Sequence, residues 1–121
     1  MTETNDYCQY ADLPMTRKGD TWDGLTLAIA SDDTEFEGTL VTARFQLQDS
    51  DGVSALTLSS AVSGEVTINS ASPGAWSVTV EPRAITIDAG TYGYGLELTD
   101  SNSVVKTRLV GTLPVNPDAV I

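Results

Sequence analysis

A chain of 121 residues with 40% hydrophobic and 19% charged side chains is one domain's worth of sequence, and it carries enough apolar surface to fold around a core. Its 6 Lys and Arg stand against 17 Asp and Glu, a formal net charge of -11, which repels phosphate backbones and anionic lipid and excludes nucleic-acid and membrane-surface binding. It contains no His and a single Cys, which removes Ser-His-Asp and Cys-His catalysis, His-containing zinc sites and any internal disulfide.

Residues 1-12, "MTETNDYCQYAD", are polar and aperiodic and read as an N-terminal arm. Tyr7, Cys8 and Tyr10 give it something to bury, along its own domain or along a neighbour. The arm lacks the basic-then-apolar order of a secretory signal, and no apolar run is long enough to span a bilayer, so synthesis in a cytoplasm is expected.

From residue 13 to 115 a period of two dominates, the mark of half-buried strands. "LTLAI" sets Leu25, Leu27 and Ile29 on one face. "VTARFQL" sets Val41, Ala43, Phe45 and Leu47 against Thr42, Arg44 and Gln46, and "AWSVTV" repeats the pattern with Trp76, Val78 and Val80. Between the runs lie the turn signals "SDDTE", "DSDG", "SASPG", "DAG" and "DSNS", while "DSDGVSALTLSSAVSG" reads as a meandering strand. About seven to eight strands punctuated in this way predict an all-β, antiparallel immunoglobulin-like β-sandwich preceded by an extended arm.

The stretch "GTYGYGLELTDSNS" (90-103) reads as the first strand and turn of a closing hairpin. With the turn centred between Ser101 and Asn102, Leu98 faces Val105, Leu96 faces Thr107, Tyr94 faces Leu109 and Tyr92 faces Gly111 on the core side. On the other side Glu97 meets Lys106, Gly95 meets Arg108 and Gly93 meets Val110. A slip by one residue would carry Lys106 and Arg108 inward, which favours this register. Gly93 and Gly95 then leave a strip of backbone bare on the outer face. The tail, 116-121, follows Pro114 and contains Pro117, both of which restrict strand continuation, and it ends in apolar Val120 and Ile121.

Chemistry is sparse. The order of Gly90, Gly93 and Gly95 reverses G-x-G-x-x-G, and no Gly-Lys pair exists for a phosphate loop. Asp32, Asp33, Glu35 and Glu37 crowd one turn-rich loop, where solvation and capping are expected in place of an acid-base pair. Asp49 and Asp51, with Asp100, form the set that calcium would need, but Ser60 stands where a bidentate Glu would fall. The competing reading, a tight turn with Gly52 at positive φ, is preferred. No catalytic, cofactor or metal residues are therefore assigned.

Three segments carry a family resemblance: "LPMTRKGDTWDGLTLAI" (13-29), "LVTARFQLQDSDG" (40-52) and "AGTYGYGLELTDSNSVVKTRLVGTLPVNPD" (89-118). The pattern resembles small immunoglobulin-like β-sandwich proteins of tailed bacteriophages and is similar to the N-terminal domain of the phage upper baseplate protein. The matching positions are Gly19, Asp20, Thr21 and Trp22, then Ala43, Phe45 and Leu47. Gly90, Tyr92, Tyr94, Leu96, Leu98, Thr99, Asp100, Leu109, Gly111, Val115 and Pro117 complete the set. Lys18, which intrudes before Gly19, and the acidic stretch 31-39 depart from the pattern. The resemblance implies a non-enzymatic virion component of the baseplate, neck, tail or capsid surface, assembled in the host bacterial cytoplasm. It would bind other virion structural proteins, as a homo-oligomer or in symmetric multiple copies. Candidate interface residues are Tyr7, Tyr10, Trp22, Gly93, Gly95, Val120 and Ile121. A carbohydrate- or host-surface-binding module is the alternative, with Trp22 as the exposed aromatic platform.

Overall fold

A computed structural model of the chain describes residues 9-30, 38-73 and 75-117, and among them every regular element is a strand. The acidic run 32-37, Tyr7, Cys8, Val120 and Ile121 lie outside the described residues. The longer strands are β4 (Leu25–Ala30), β5 (Leu40–Gln48), β6 (Ser54–Ser59), β7 (Val66–Ser70), β8 (Ala75–Val80), β10 (Gly90–Asp100) and β11 (Val105–Asn116). Short pairings add β1 (Gln9–Tyr10), β2 (Thr16–Arg17), β3 (Thr21–Trp22) and β9 (Arg83–Ala84).

One layer is a sheet in the order β1-β11-β10-β5-β6, with β2 also on β11, and the other is β4-β8-β7 with the small β3-β9 pair beside it. The fold is thus all-β and sandwich-like. Apolar side chains of both layers meet between them. Ala43, Phe45, Leu47, Leu58, Tyr92, Tyr94, Leu96, Leu98, Leu113 and Val115 come from one side, and Leu27, Val66, Trp76, Val78 and Val80 from the other. Trp22 stacks on Phe45 at 5.4 Å between ring centroids, and Phe45 leans on Tyr94 at 5.6 Å. The indole N–H of Trp76 donates to Gly38 O at 3.0 Å, which satisfies the one polar atom that this buried ring carries.

Val41 departs from the alternation. It is 55% exposed while Leu40 is buried, because a bulge against β10 pairs Thr42 with Thr99 and Leu40 with Asp100 and leaves Val41 over.

The closing hairpin keeps its expected β10 face and loses its expected register. Thr99 pairs with Val105, Leu98 with Lys106 and Glu97 with Thr107. After a bulge, Leu96 pairs with Leu109, Gly95 with Val110, Tyr94 with Gly111, Gly93 with Thr112 and Tyr92 with Leu113. Glu97 and Lys106 are not cross-strand partners. Glu97 sits opposite Arg44 of β5, with carboxylate and guanidinium 3.1 Å apart. Arg108 is the bulged residue and is buried, whereas Val105, expected in the core, is 52% exposed.

The turn explains the first shift. Asp100 N donates to Val104 O, Ser103 N donates to Asp100 O, and Asp100 Oδ1 accepts from Asn102 N and Val104 N. Three residues, not two, make this loop, and Ser103 takes the left-handed conformation at φ 62. "DSDGV" repeats the device between β5 and β6. Asp49 Oδ1 accepts from Asp51 N and Val53 N, and Gly52 sits at φ 80. Replacing Ser103 by Gly should therefore stabilise the protein by about 0.5 kcal/mol, the relief of left-handed strain less the glycine's extra unfolded-state freedom. A urea midpoint that falls on this substitution would contradict the turn geometry.

Pro114 does not end β11, which runs on to Asn116. The carbonyls of Val110, Thr112 and Asn116 accept from Ala11, Leu13 and Lys18, so even-numbered residues of β11 turn their backbone polar groups toward the N-terminal segment. The missing N–H of Pro114 points into the gap between β1 and β2, where no ladder bond is lost.

Candidate interaction face

Residues 9-17 lie along their own domain. β1 and β2 pair in parallel with β11, Gln9 with Leu109, Tyr10 with Val110, Thr16 with Val115 and Arg17 with Asn116. Between them Ala11 N and Leu13 N donate to Val110 O and Thr112 O, and the Tyr94 hydroxyl donates to Ala11 O at 2.6 Å. This strap covers one edge of the larger sheet. Gly111 makes the approach possible, since a Cβ there would lie 1.9 Å from Ala11 O.

The chain then turns through Arg17–Asp20, with Asp20 N donating to Arg17 O and Gly19 at φ 93. Lys18 occupies an inner position of that turn, with its ammonium 3.2 Å from Asp88 Oδ1. The turn delivers Trp22 to the core at 6% exposure. The expected exposed platform is therefore corrected: the indole is spent on packing against Phe45.

The outer face of the larger sheet is where the remaining candidates meet. Register places Thr57, Gln46, Gly95, Val110 and Tyr10 in one row across five strands. The next row holds Gln48, Gly93 and Thr112, with Asp12 accepting from the Thr112 hydroxyl at 2.8 Å. With no side chains on Gly93 and Gly95, β10 forms the floor of a depression of about 270 Å³ lined by Gln46, Gln48, Gly93, Tyr94, Gly95 and Val110. The Arg44–Glu97 ion pair crosses from β5 to β10 next to Gly95.

Electrostatics on this face centre on Asp12. Hydrogen bonds from Thr112 and then Tyr10 hold its carboxyl below the usual range, and in return the Tyr10 phenol is pushed up by its bond to Asp12 and by that charge. Tyr10 itself is 69% exposed. In the interior, burial, with the negative charges of Asp88 and Asp49 behind it, pushes the Tyr92 phenol up, and its hydroxyl donates to Asp88 O.

The structure brings Tyr10, Gly93 and Gly95 onto one face and separates Trp22 from them. Asp49 and Asp51 follow one end of β5 while Asp100 pairs with Leu40 at the other, so the three do not converge on a cation. Gln46, Gln48, Asp12 and Thr112 were not singled out from sequence. The signal for the glutamines was present in "RFQLQ", whose polar positions alternate with buried Phe45 and Leu47. The position of Asp12 depends on a parallel pairing between segments about a hundred residues apart, which leaves no local pattern.

No protein-family model matches the chain, and no curated protein matches it. Among solved structures, CopC from Methylosinus trichosporium OB3b is similar over 88% of this chain and 88% of its own, at a TM-score of 0.43 and 12% identity. A likeness of that degree bears on neither site nor function.

Proposed function

We propose that the protein is a non-enzymatic structural component of a tailed-phage virion, of the baseplate, neck, tail or capsid surface, acting through protein–protein interfaces. It is made and assembled in the host bacterial cytoplasm, in symmetric multiple copies beside other virion proteins. The observation that carries this reading is the uncharged, side-chain-poor trough along β10, walled by Gln46 and Gln48 on one side and Val110 on the other, with exposed Tyr10 one strand beyond Val110. A surface of that kind suits contact with another chain, where aromatic rings and close backbone approach supply most of the affinity. The positions shared with the phage sandwich pattern serve the scaffold. Gly19 makes a turn, Trp22, Phe45, Tyr92 and Tyr94 fill the core, and Asp100 closes a hairpin. The sugar-binding alternative loses its Trp22 platform.

Particles purified by density from the host that carries the gene provide the test. Immunoblotting should find the protein in the particle fraction at a fixed ratio to the major capsid protein. A protein found only in the soluble fraction of lysed cells would sink the reading.

A further inference from the structure

The N-terminal strap is fastened unevenly along its length. Gln9, Tyr10, Ala11 and Asp12 are exposed, as are Pro14 and Met15, whereas Thr16 is buried and Arg17 half-buried. In segment 9-13 the apolar residue that packs against the core is Leu13. The rest of the hold is hydrogen bonding at the surface. Ala11 N and Leu13 N donate to Val110 O and Thr112 O, the Tyr94 hydroxyl donates to Ala11 O, and the Thr112 hydroxyl donates to Asp12. A segment with few buried apolar contacts and solvent-exposed backbone bonds opens at the low end of the local stability scale. What it uncovers is the edge of β11, a strand of 12 residues, and such an edge is a template for another chain.

We infer that this edge of β11 receives segment 9-13 of a second copy of the chain, so that neighbouring copies are joined by exchanged straps. The inference rests on the multi-copy reading above and names the contact between copies.

Three features point to this occupant. The structure displays the ligand itself: Gln9 opposite Leu109 and Tyr10 opposite Val110 in a parallel register, with Gly111 leaving room for the Ala11 carbonyl. The same residues of a second copy make the same bonds, so exchange alters only the connecting residues and the concentration dependence. The second feature is the hinge. Pro14 and Met15 separate the loosely held half from Thr16 and Arg17, which pair with Val115 and Asn116. Proline has no N–H to lose and biases Leu13 before it toward an extended backbone, so the connection opens without breaking a ladder bond of its own. Five extended residues then reach about 17 Å, enough to cross to a copy packed alongside. Charge is the third. A chain of net charge -11 resists contact between its own faces, but the exchanged segment carries a single charged residue, Asp12, and its carboxylate is met by the Thr112 hydroxyl. A tethered strap competes at an effective concentration of about 1 mM, so the closed form prevails in dilute solution and exchange prevails where copies are crowded together.

The test uses the full chain with Cys8→Ser as background, which removes the native thiol. Asp12→Cys and Thr112→Cys are made singly and together, because these two side chains meet only where strap lies on β11. The singles are unfolded in urea, mixed in equal amounts at about 1 mM, refolded and oxidised with diamide. An interchain disulfide joining the two variants should form well above the background of either single alone. Its yield should fall at least about tenfold when the mixture is diluted about a hundredfold before refolding. The double variant, refolded dilute, should close within one chain. A mixture no more cross-linked than the separate singles would overturn the inference, whether or not the double variant closes. A yield independent of concentration would overturn it as well. Particles from cells that express both singles separate the inference from the virion reading. Particles that contain both variants without the interchain bond leave the virion reading standing and sink the exchange. Absence of the protein from particles, with the concentration-dependent bond in the refolded mixture, does the reverse.

Discussion

Phe45→Ala should lower the unfolding free energy by about 3–5 kcal/mol, a large part of what a single domain of this kind possesses. The ring is fully buried near the middle of β5, between Leu96 of β10 and Leu58 of β6, and it touches Trp22 and Tyr94 on either side. Trp22 belongs to the β3-β9 pair, so Phe45 ties the small pair to the large sheet. Truncation leaves a cavity bounded by two aromatic rings in packed sheets, which cannot collapse into it without breaking their own strand pairing. A urea titration should show a lower midpoint with an unchanged slope, together with a red shift of tryptophan emission as Trp22 loses its stacking partner. Val41→Ala, on the same strand and the same expected face, should change stability by no more than about 0.5 kcal/mol, because the bulge turns Val41 to solvent. Equal losses for the two substitutions would mean that the bulge is misplaced and Val41 packs inside.

That contrast marks how far the sequence could be read. Alternation identified Ala43, Phe45, Leu47, Trp76, Val78, Val80, Tyr92, Tyr94, Leu96 and Leu98 as core, and all are buried. A period-two pattern says which residues share a face, so it holds wherever the ladder is regular. It carries no information about where an extra residue enters, and three disagreements have that cause. Val41 sits at the bulge between β5 and β10, Arg108 sits at the bulge between β10 and β11, and Ser103 lengthens the final turn by one. The argument that a slip would bury a charge is sound for a regular hairpin. It fails here because a bulge slips one residue at a time and buries Arg108 without moving Lys106 inward.

For the interaction face, the bare strip was legible, since glycines two apart among core tyrosines must face outward. What lines the strip was not. Val110 and Thr112, not Arg108 and Val110, stand beside Gly95 and Gly93, and this exchanges a cation for a neutral wall. The chemistry of the trough thus turns on the two-residue difference in register that the turn and the bulge add between them. The burial of Trp22 has a different cause. Its neighbours Asp20, Thr21 and Asp23 are polar, and only the turn at Gly19, which carries the chain from the large sheet to the β3-β9 pair, directs the indole inward.

Gly111→Ala should lift the N-terminal strap and lower stability by about 1–3 kcal/mol, in the range of overpacked interior sites. The added methyl would meet Ala11 O at 1.9 Å, Ala11 C at 2.7 Å and Tyr94 Cε2 at 2.9 Å. None of these is the loose end of a flexible side chain. The Tyr94 ring is buried against Phe45, so the strap is the partner that must move. Moving it breaks the bonds from Ala11 N to Val110 O and from Leu13 N to Thr112 O, and separates the Tyr94 hydroxyl from Ala11 O. Hydrogen exchange should then report lost protection at Ala11 and Leu13, while the β5–β10 ladder keeps its own. The variant also exposes the β11 edge that the strap covers, and an uncovered edge pairs with other chains. Self-association of Gly111→Ala should exceed that of the wild type at equal concentration and accompany the lost protection. Wild-type stability with full protection at Ala11 and Leu13 would mean that the close contact between strap and β11 is not present in solution.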